Sequence, residues 1–392
     1  MLIFDAHLDL AWNAIDWNRD LRLPALDIRR REREEGIAGK GRGVGTVTFP
    51  ELRHGNVGIF IATLLARLLR PNLMPAVQRY SSMPAAYAAA KGQLAYYQAL
   101  VREGVLRWIK DGPTLDAHVQ GWKCDESKQP LGFILSMEGA DPVLSPEQVQ
   151  EWFDAGLRII GPAHYGPSPY ARGHNMEGGL FEQGPALLRE MERVGMILDV
   201  THLSDQCFYE ALDIYGGPVL ASHHNCRALV DDPRQLTDDQ IKRLIARGAV
   251  IGAALDAWMM VPGWVRGQTT PEQAGVKLEH VVDHIDRVCQ LAGNHHHSAI
   301  GTDLDGGFGR EQSPLDLDTI ADLQRLPNLL RKRGYKEDAI EAIAHGNWVR
   351  FFREAWLRDA RGKKARGTED LSSIQACPEG VEDSRIRPRK QP

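Results

Sequence analysis

The chain is poor in cysteine and has no long apolar run. Its five cysteines are scattered, odd in number and without CxxC spacing: Cys124, Cys207, Cys226, Cys289 and Cys377. This distribution argues against a disulfide framework and against a thiolate zinc site, and it predicts a reducing compartment. No window reaches the ~18 apolar residues that a membrane span needs. No basic stretch leads into a long apolar segment at the start, so we expect no secretory signal and a cytoplasmic location.

The chain also lacks an excess of positive charge. Lys and Arg number 47 against 52 Asp and Glu, for a net charge of -5. There is therefore no electrostatic case for a nucleic-acid partner or an anionic membrane. The basic-looking stretch at residues 29–35 alternates in sign, which is typical of a solvated helix or loop. With 43% hydrophobic and 25% charged residues, the composition is that of a soluble globular protein.

What the chain does contain is a series of eight short apolar runs that alternate with helical patterns. Such runs, apolar on both faces, are typical of buried parallel strands. They predict strands at residues 2–4, 57–63, 132–137, 157–161, 196–200, 218–221, 250–255 and 299–301. The helices predicted around them include residues 84–102, 184–194, 273–291, 313–333, 336–344 and 346–357, with a small helix within 105–129.

Eight strand–helix units predict a TIM-type (β/α)8 barrel, an α/β fold that fits a single domain over residues 1–357. Residues 358–392 lose apolar content and predict a polar, loosely ordered tail. A doubly wound open sheet is the alternative architecture. It accounts less well for polar residues that follow many different strands.

Six of the apolar runs end in His, Glu or Asp, where a barrel of this kind carries its chemistry. His7 and Asp9 lie two residues apart after the first run, a spacing that places both on one face of a strand. Taken singly, each such residue is more often an ordinary hydrogen-bonded side chain. Jointly, they predict a metal site whose ligands are His7, Asp9, Glu138, His202 and His223.

Nitrogen and oxygen donors together suit a borderline metal such as zinc. Three histidines and two carboxylates exceed the ligands of one catalytic zinc, so we expect a two-metal site in which one carboxylate bridges the ions. Glu138 is the expected bridge, because its strand lies between the other two pairs of ligands along the chain.

Several short motifs occur in order along the chain: Asp5-Ala-His7-Leu-Asp9, Met137-Glu138-Gly139, His164, Asp199-Val-Thr-His202, Ser222-His223, Asp232-Pro-Arg234, Gly301-Thr-Asp303-Leu-Asp305-Gly306 and Gly346-Asn-Trp348. Together they resemble the membrane dipeptidase (renal dipeptidase) family of zinc metallopeptidases, in particular its soluble bacterial members. The resemblance spans residues 2–356. We expect neither the secretion signal nor the lipid anchor of that family here.

The resemblance implies a dipeptidase with two Zn2+ per chain, a small dipeptide as substrate and a homodimer. His7 and Asp9 would hold one zinc, His202 and His223 the other, and Glu138 would bridge them, with a hydroxide between the ions as nucleophile.

Three further roles follow from the resemblance. His164 would contact the substrate at the scissile carbonyl and stabilise the oxyanion. Asp303 would take the proton of the water and pass it to the leaving amine. Arg234 would bind the free carboxylate of the substrate.

Some assignments stay open at this level. Asp305 competes with Asp303, and a register error of one residue would exchange His224 for His223. The His295-His-His297 run predicts an exposed turn at the opposite end of the barrel. The competing functions are another metal-dependent amidohydrolase, acting on a cyclic amide or a lactone, and a catalytically idle metal-binding barrel. Many such amidohydrolases bridge their metals with a carboxylated lysine, and no predicted strand end offers one.

Overall fold

Eight parallel strands form a closed ring in the computed structural model, which describes residues 1–69 and 79–364. The strands are β1 Ile3–Leu8, β2 Val57–Leu64, β3 Leu131–Glu138, β4 Ile159–Gly161, β5 Ile197–Asp199, β6 Val219–Leu220, β7 Ile251–Ala253 and β8 Ser298–Ile300. Their hydrogen-bonded order is β7-β8-β1-β2-β3-β4-β5-β6, and a parallel bridge between Ala221 and Ile251 closes the ring. The predicted TIM-type barrel is thus confirmed, and the open sheet is excluded.

Helices surround the ring and cover its outer face. Their bounds are Leu10–Ile15, Ala25–Glu34, Phe49–His54, Met83–Arg102, Gly112–Cys124, Val149–Asp154, Gly184–Val194, Asp205–Ile214, Asp238–Ala246, Ala257–Met260, Pro271–Ala274, Glu279–Ala292, Leu326–Arg333, Glu337–Glu341 and Asn347–Lys364. Short 3-10 turns lie at Glu126–Lys128, Pro146–Gln148, Arg310–Gln312 and Ile320–Arg325, and a π-helical turn at Ala342–Gly346 precedes the last helix.

The barrel interior is apolar below the site. Alternate residues of the strands, such as Phe4 of β1 and Ile134 of β3, form one buried cluster with side chains of the last helix. Phe4 stacks on Phe352 with ring centroids 5.7 Å apart, and the indole Nε1 of Trp348 donates to the carbonyl oxygen of Ile300 at 2.9 Å. The last helix therefore fills the amino-terminal end of the barrel, which leaves the other end for polar residues.

The first strand is longer than predicted and irregular. β1 continues through His7, and its pairing with β2 shifts in register between Asp5 and Leu8. Irregularities of this kind re-aim a side chain. They explain how His7 reaches the inside of the ring although Phe4 and Ala6 also belong to the interior cluster.

One helix prediction is confirmed and two need correction. The small helix predicted within residues 105–129 is present at Gly112–Cys124, and a short strand, Leu106–Trp108, precedes it and pairs with β3. The predicted helix 273–291 is interrupted, because Gly275 adopts a left-handed φ of 62° and ends the helix Pro271–Ala274. Within the predicted helix 313–333, regular α-helix begins only at Leu326.

The last helix extends beyond the predicted boundary at residue 357 and runs to Lys364. The rest of the predicted tail lies outside the described residues, as does Cys377. The other four cysteines are free thiols. Within residues 1–69 and 79–364, no helix combines the length and apolar character needed to cross a membrane.

Candidate metal centre

The five predicted ligands meet at the carboxyl-terminal end of the ring, around one oxygen atom. Oε1 of Glu138 lies 3.0 Å from Nε2 of His202 and 3.5 Å from Nε2 of both His7 and His223. Nε2 of His7 is in turn 3.8 Å from Oδ1 of Asp9. All five side chains are buried. Residues that are far apart in sequence are thus brought within a few ångströms of each other.

Each predicted ligand stands close to the carboxyl end of its strand. Glu138 is the last residue of β3, and His202 and His223 lie in the loops that follow β5 and β6. His202 has a φ of 70°, and Asp303 has a φ of 59°. Positive φ is rare for side chains with a Cβ and costs of order 1–3 kcal/mol, and such strain concentrates at functional sites. The strained backbone of these loops thus sets the position of the His202 and Asp303 side chains.

Further polar groups contact the predicted ligands on the side away from Glu138. Nδ1 of His223 lies 2.9 Å from Oγ of Ser222, and Nδ1 of His202 lies 3.2 Å from Nδ1 of His174. The hydroxyl of Thr63 donates to Oδ1 of Asp9. Partners of this kind set the ring orientation and the tautomer of ligating histidines.

The donor set fits a metal ion. Nε2 of His7 is buried and has no hydrogen-bond partner in the described part of the chain, although the carboxylates of Asp9, Glu138 and Asp303 all approach it within 3.8 Å. Two ligand atoms bound to one zinc at about 2.0–2.2 Å have this kind of separation. A cation placed among them would satisfy the nitrogen and the carboxylates together.

The pKa of His7 is shifted in the opposite direction from the pKa values of His202 and His223. Burial opposes its charged form, but the negative charges of Glu138 and Asp9 outweigh burial and raise the pKa of His7 well above its ordinary value. Burial and then the charge of Arg234 lower the pKa of His202 well below its usual range, and burial with the charge of His7 does the same to the pKa of His223. Neutral imidazoles are the form that binds metal.

His164 and Asp303 stand beside the same cluster. Nε2 of His164 is 3.5 Å from Oε1 of Glu138, and Oδ1 of Asp303 is 3.8 Å from Nε2 of His7. Burial, reinforced by the charges of Glu138 and Asp9, raises the pKa of Asp303 well above its ordinary value. Groups of three potential ligands that the geometry permits include both of these residues, so proximity alone does not separate ligands from catalytic groups.

The structure separates two pairs of residues that the sequence left open. Asp305 turns away from the cluster: its carboxylate accepts hydrogen bonds from the backbone and hydroxyl of Thr46 and from the backbone of Val47. The ring of His224 lies against the guanidinium of Arg234, with Nδ1 3.2 Å from Nη1, while the ring of His223 lies in the cluster. The His295–His297 run forms a turn directly before β8, away from the cluster.

A narrow cavity opens over the cluster, and sequence reasoning missed several of its side chains. Arg234, Asp303 and His164 line it together with Lys40, Arg67, Tyr165 and Asp256. Asp256 directly follows the seventh apolar run, so it carried the same signal as the other strand-end residues and could have been found. Arg67 lies in a two-residue strand, Arg67–Leu68, that pairs with Arg79–Tyr80, and Tyr165 lies in an irregular segment after β4. No sequence pattern marks either residue.

Comparison with known proteins agrees with this geometry. The sequence model of the membrane dipeptidase family, peptidase family M19, matches residues 1–365. A "dipeptidase tcpJ" from Claviceps purpurea is 31% identical over 229 residues, which are 56% of this chain and 50% of that protein. An "uncharacterized protein in pqqA 5'region" from Klebsiella pneumoniae is 29% identical over 60% of this chain and 85% of its own length. The aligned region thus spans about half of the fungal dipeptidase.

Solved structures share the fold. The crystal structure of a dipeptidase described as a metallopeptidase of family M19 superposes with a TM-score of 0.71 at 21% identity, over 91% of this chain and 99% of the other. A metallopeptidase from Rhodobacter sphaeroides, bound to a phosphinate mimic of the dipeptide L-Ala-D-Ala, gives the same TM-score at 20% identity over the same shares of both chains.

Proposed function

Because the chain belongs to the membrane dipeptidase family, peptidase family M19, we propose that it is a metallopeptidase that hydrolyses dipeptides at a centre of two divalent cations. The observation that carries this proposal is the position of Oε1 of Glu138, which lies within 3.5 Å of the Nε2 atoms of four histidines. One carboxylate at the centre of that many nitrogen donors suits a bridge between two ions.

In this proposal His7 and Asp9 hold one cation and His202 and His223 the other, with Glu138 shared. Zinc is the first choice, because imidazole and carboxylate donors suit it. When bound, the two cations lower the pKa of a water molecule enough to supply hydroxide near pH 7.

The remaining residues act on the substrate. The guanidinium of Arg234 binds the free carboxylate of the dipeptide and so sets where the peptide bond lies. Nε2–H of His164 donates to the carbonyl oxygen as negative charge develops on it. The carboxylate of Asp303 accepts a proton from the attacking water and returns it to the amine that leaves.

The residues that line the cavity support the proposal of a small substrate. It is lined by charged groups near the cluster and bounded by Leu65, Met259 and Phe308. A dipeptide with a free carboxylate uses the buried charge of Arg234, whereas a lactone or cyclic amide leaves that charge without a partner. We therefore place dipeptide hydrolysis ahead of the amidohydrolase alternative, in which a lysine often bridges the metals.

The test combines metal analysis with a substrate screen. Purified protein is expected to carry about two divalent ions per chain and to hydrolyse members of a dipeptide library. L-Ala-D-Ala belongs in that library because the Rhodobacter sphaeroides neighbour was solved with its phosphinate mimic. Hydrolysis that survives complete removal of metal by a chelator contradicts the proposal. The homodimer and the cytoplasmic location stay predictions, and size-exclusion chromatography with light scattering measures the first.

A further inference from the structure

We propose that Arg67 is a positioning residue that holds His164 in the tautomer with its proton on Nε2, and thereby makes His164 a hydrogen-bond donor to the substrate instead of a metal ligand. The inference rests on the proposed function, because it specifies how one residue of that site acts. It concerns a side chain that no motif of the sequence marks.

The contact between the two side chains determines the tautomer. Nη1 of Arg67 lies 2.5 Å from Nδ1 of His164. A guanidinium carries donors only and keeps its charge in proteins, so it cannot accept a hydrogen bond from the ring. Nδ1 must then present its lone pair, and a neutral imidazole in this state carries its hydrogen on Nε2. That nitrogen faces the cluster, 3.5 Å from Oε1 of Glu138.

His223 has a hydrogen-bond partner that allows the opposite tautomer, with the proton on Nδ1. Its Nδ1 lies 2.9 Å from the hydroxyl oxygen of Ser222, which can accept a hydrogen bond from Nδ1–H of the ring. Nε2 of His223 is then free to offer a lone pair to a metal, as a ligand must. Both histidines stand around Glu138 with similar distances, so the partner on Nδ1 is what distinguishes them. By this criterion His164 is a donor.

The unused donors of Arg67 favour a functional role. The side chain is 3% exposed, yet its Nη2 has no hydrogen-bond partner in the described ranges of the chain. Buried Arg29, by contrast, uses Nε, Nη1 and Nη2 on Gly45 and Asp318. Leaving a buried donor without a partner is unfavourable, and a purely structural arginine would not require it. Arg67 lines the same cavity as Arg234 and Asp303.

The direct test reads the tautomer by 15N NMR of the zinc-loaded protein with 15N-labelled histidine, using His164→Gln to assign the signal. We expect Nδ1 of His164 to be unprotonated in the wild type and in Arg67→Lys, and protonated to a measurable extent in Arg67→Met. Arg67→Met is expected to lower kcat about 10- to 100-fold, somewhat less than loss of an oxyanion donor. KM should change by less than about twofold, since the substrate carboxylate is bound elsewhere.

Arg247→Met is the matched control. Arg247 donates to the backbone carbonyl oxygens of Leu212, Tyr215 and Gly217, at the other end of the barrel, so its loss should change neither the His164 signal nor kcat. A protonated Nδ1 in the wild type, or an unchanged tautomer in Arg67→Met, overturns the inference. So does a rise in KM with unchanged kcat, which would make Arg67 a substrate-binding residue.

Two further outcomes keep the inference and the proposed function apart. If Arg67→Met does not fold, the wild-type and Arg67→Lys spectra decide the tautomer. If the wild type hydrolyses no dipeptide while the tautomer still depends on Arg67, the proposed function fails and the role of Arg67 in setting the His164 ring stands.

Discussion

Arg234 donates a hydrogen bond from Nη2 to the backbone carbonyl oxygen of His223, at 2.9 Å. The side chain is 1% exposed, so its charge is held almost entirely inside the protein. Its position is thereby tied to a proposed metal ligand on one side, while the side chain also lines the cavity on the other. A carboxylate bound by Arg234 would lie at a fixed place relative to the metal centre.

The first prediction concerns this carboxylate. Arg234→Met should lower kcat/KM about 10- to 100-fold for dipeptides with a free C-terminal carboxylate, because charge-assisted hydrogen bonds of this kind contribute about 1.5–3 kcal/mol. For the C-terminally amidated analogue, the loss should be far smaller. Steady-state kinetics on the matched pair of substrates, with metal analysis of both proteins, measures the difference.

Arg227→Met is the control for this experiment. Arg227 lies in the same loop but forms its ion pair with Asp205, at 2.7 Å, outside the cavity. Its loss should leave both substrates unaffected. Equal losses on the free and the amidated substrate in Arg234→Met would reject the role in carboxylate binding.

The second prediction separates the two aspartates after β8. Asp303→Asn should lower kcat about 10²- to 10⁴-fold while metal content is retained, since an amide cannot relay a proton. Asp305→Asn should instead lower the free energy of unfolding by about 2 kcal/mol, because its carboxylate accepts hydrogen bonds from Thr46 and Val47. Turnover and urea unfolding are measured on both variants, and full turnover in Asp303→Asn would reject its role in proton transfer.

The third prediction concerns how the cations are shared. His7→Ala and His202→Ala should each retain about one cation per chain, while Glu138→Gln should retain less than one, because only the bridging residue serves both ions. Elemental analysis after extensive dialysis gives the stoichiometry. If Glu138→Gln keeps two ions, the bridge is wrong. The exposed His54, changed to Ala, serves as the control with unchanged metal.

The fourth prediction is a pH dependence of stability that arises far from the metal centre. His118 is fully buried, and its Nε2 lies 3.0 Å from the carbonyl oxygen of Gly58. Burial, reinforced by the charge of Arg107, lowers the pKa of His118 to about 4. In the unfolded chain the same ring titrates near 6.5, so between these values the unfolded state binds more protons than the folded state.

Stability should therefore fall as the pH drops from about 6.5 to about 4, and His118 should account for up to about 3 kcal/mol of that fall. His118→Gln should reduce the dependence in this window, whereas the same change at exposed His54 should not. Urea unfolding at pH 7 and pH 5 measures both. Identical pH profiles for wild type and His118→Gln would contradict the prediction.

The sequence predicted the barrel because its strands are nearly continuous apolar runs, and it placed β2 and β3 within one or two residues. It ended the apolar run of β1 at residue 4, because the polar Asp5 and His7 interrupt the apolar pattern, whereas the strand continues to Leu8. Carboxylate Oδ2 of Asp5, for example, accepts a hydrogen bond from the hydroxyl of Thr302 at 2.6 Å. A polar residue can be buried inside a strand when a residue distant in sequence forms a hydrogen bond with it. Such a partner cannot be identified from the local sequence pattern.

The sequence also predicted part of the candidate site. Residues that follow apolar runs, such as Glu138 and His223, could be proposed as neighbours because parallel strands end at one face of a barrel. Arg67 and Tyr165 could not, because their distance to the cavity is set by the path of the chain after β2 and β4, which includes the two-residue strand Arg67–Leu68. The interrupted helix at Gly275 differs, because a local sequence signal was present: the capping box of Thr270 with Gln273 defines a short separate helix.

The pairing of β1 with β8 constrains how the protein is made. Asp5 pairs with Ile300, and the backbone nitrogen of Thr302 donates to its carboxylate across 297 residues of sequence. During translation, the first strand leaves the ribosome long before its second neighbour exists. Since His7 and Asp9 belong to that strand and Asp303 follows the last one, a nascent chain cannot assemble the complete site until the ring is nearly finished. Any peptidase activity would thus be withheld until synthesis of the barrel is almost over.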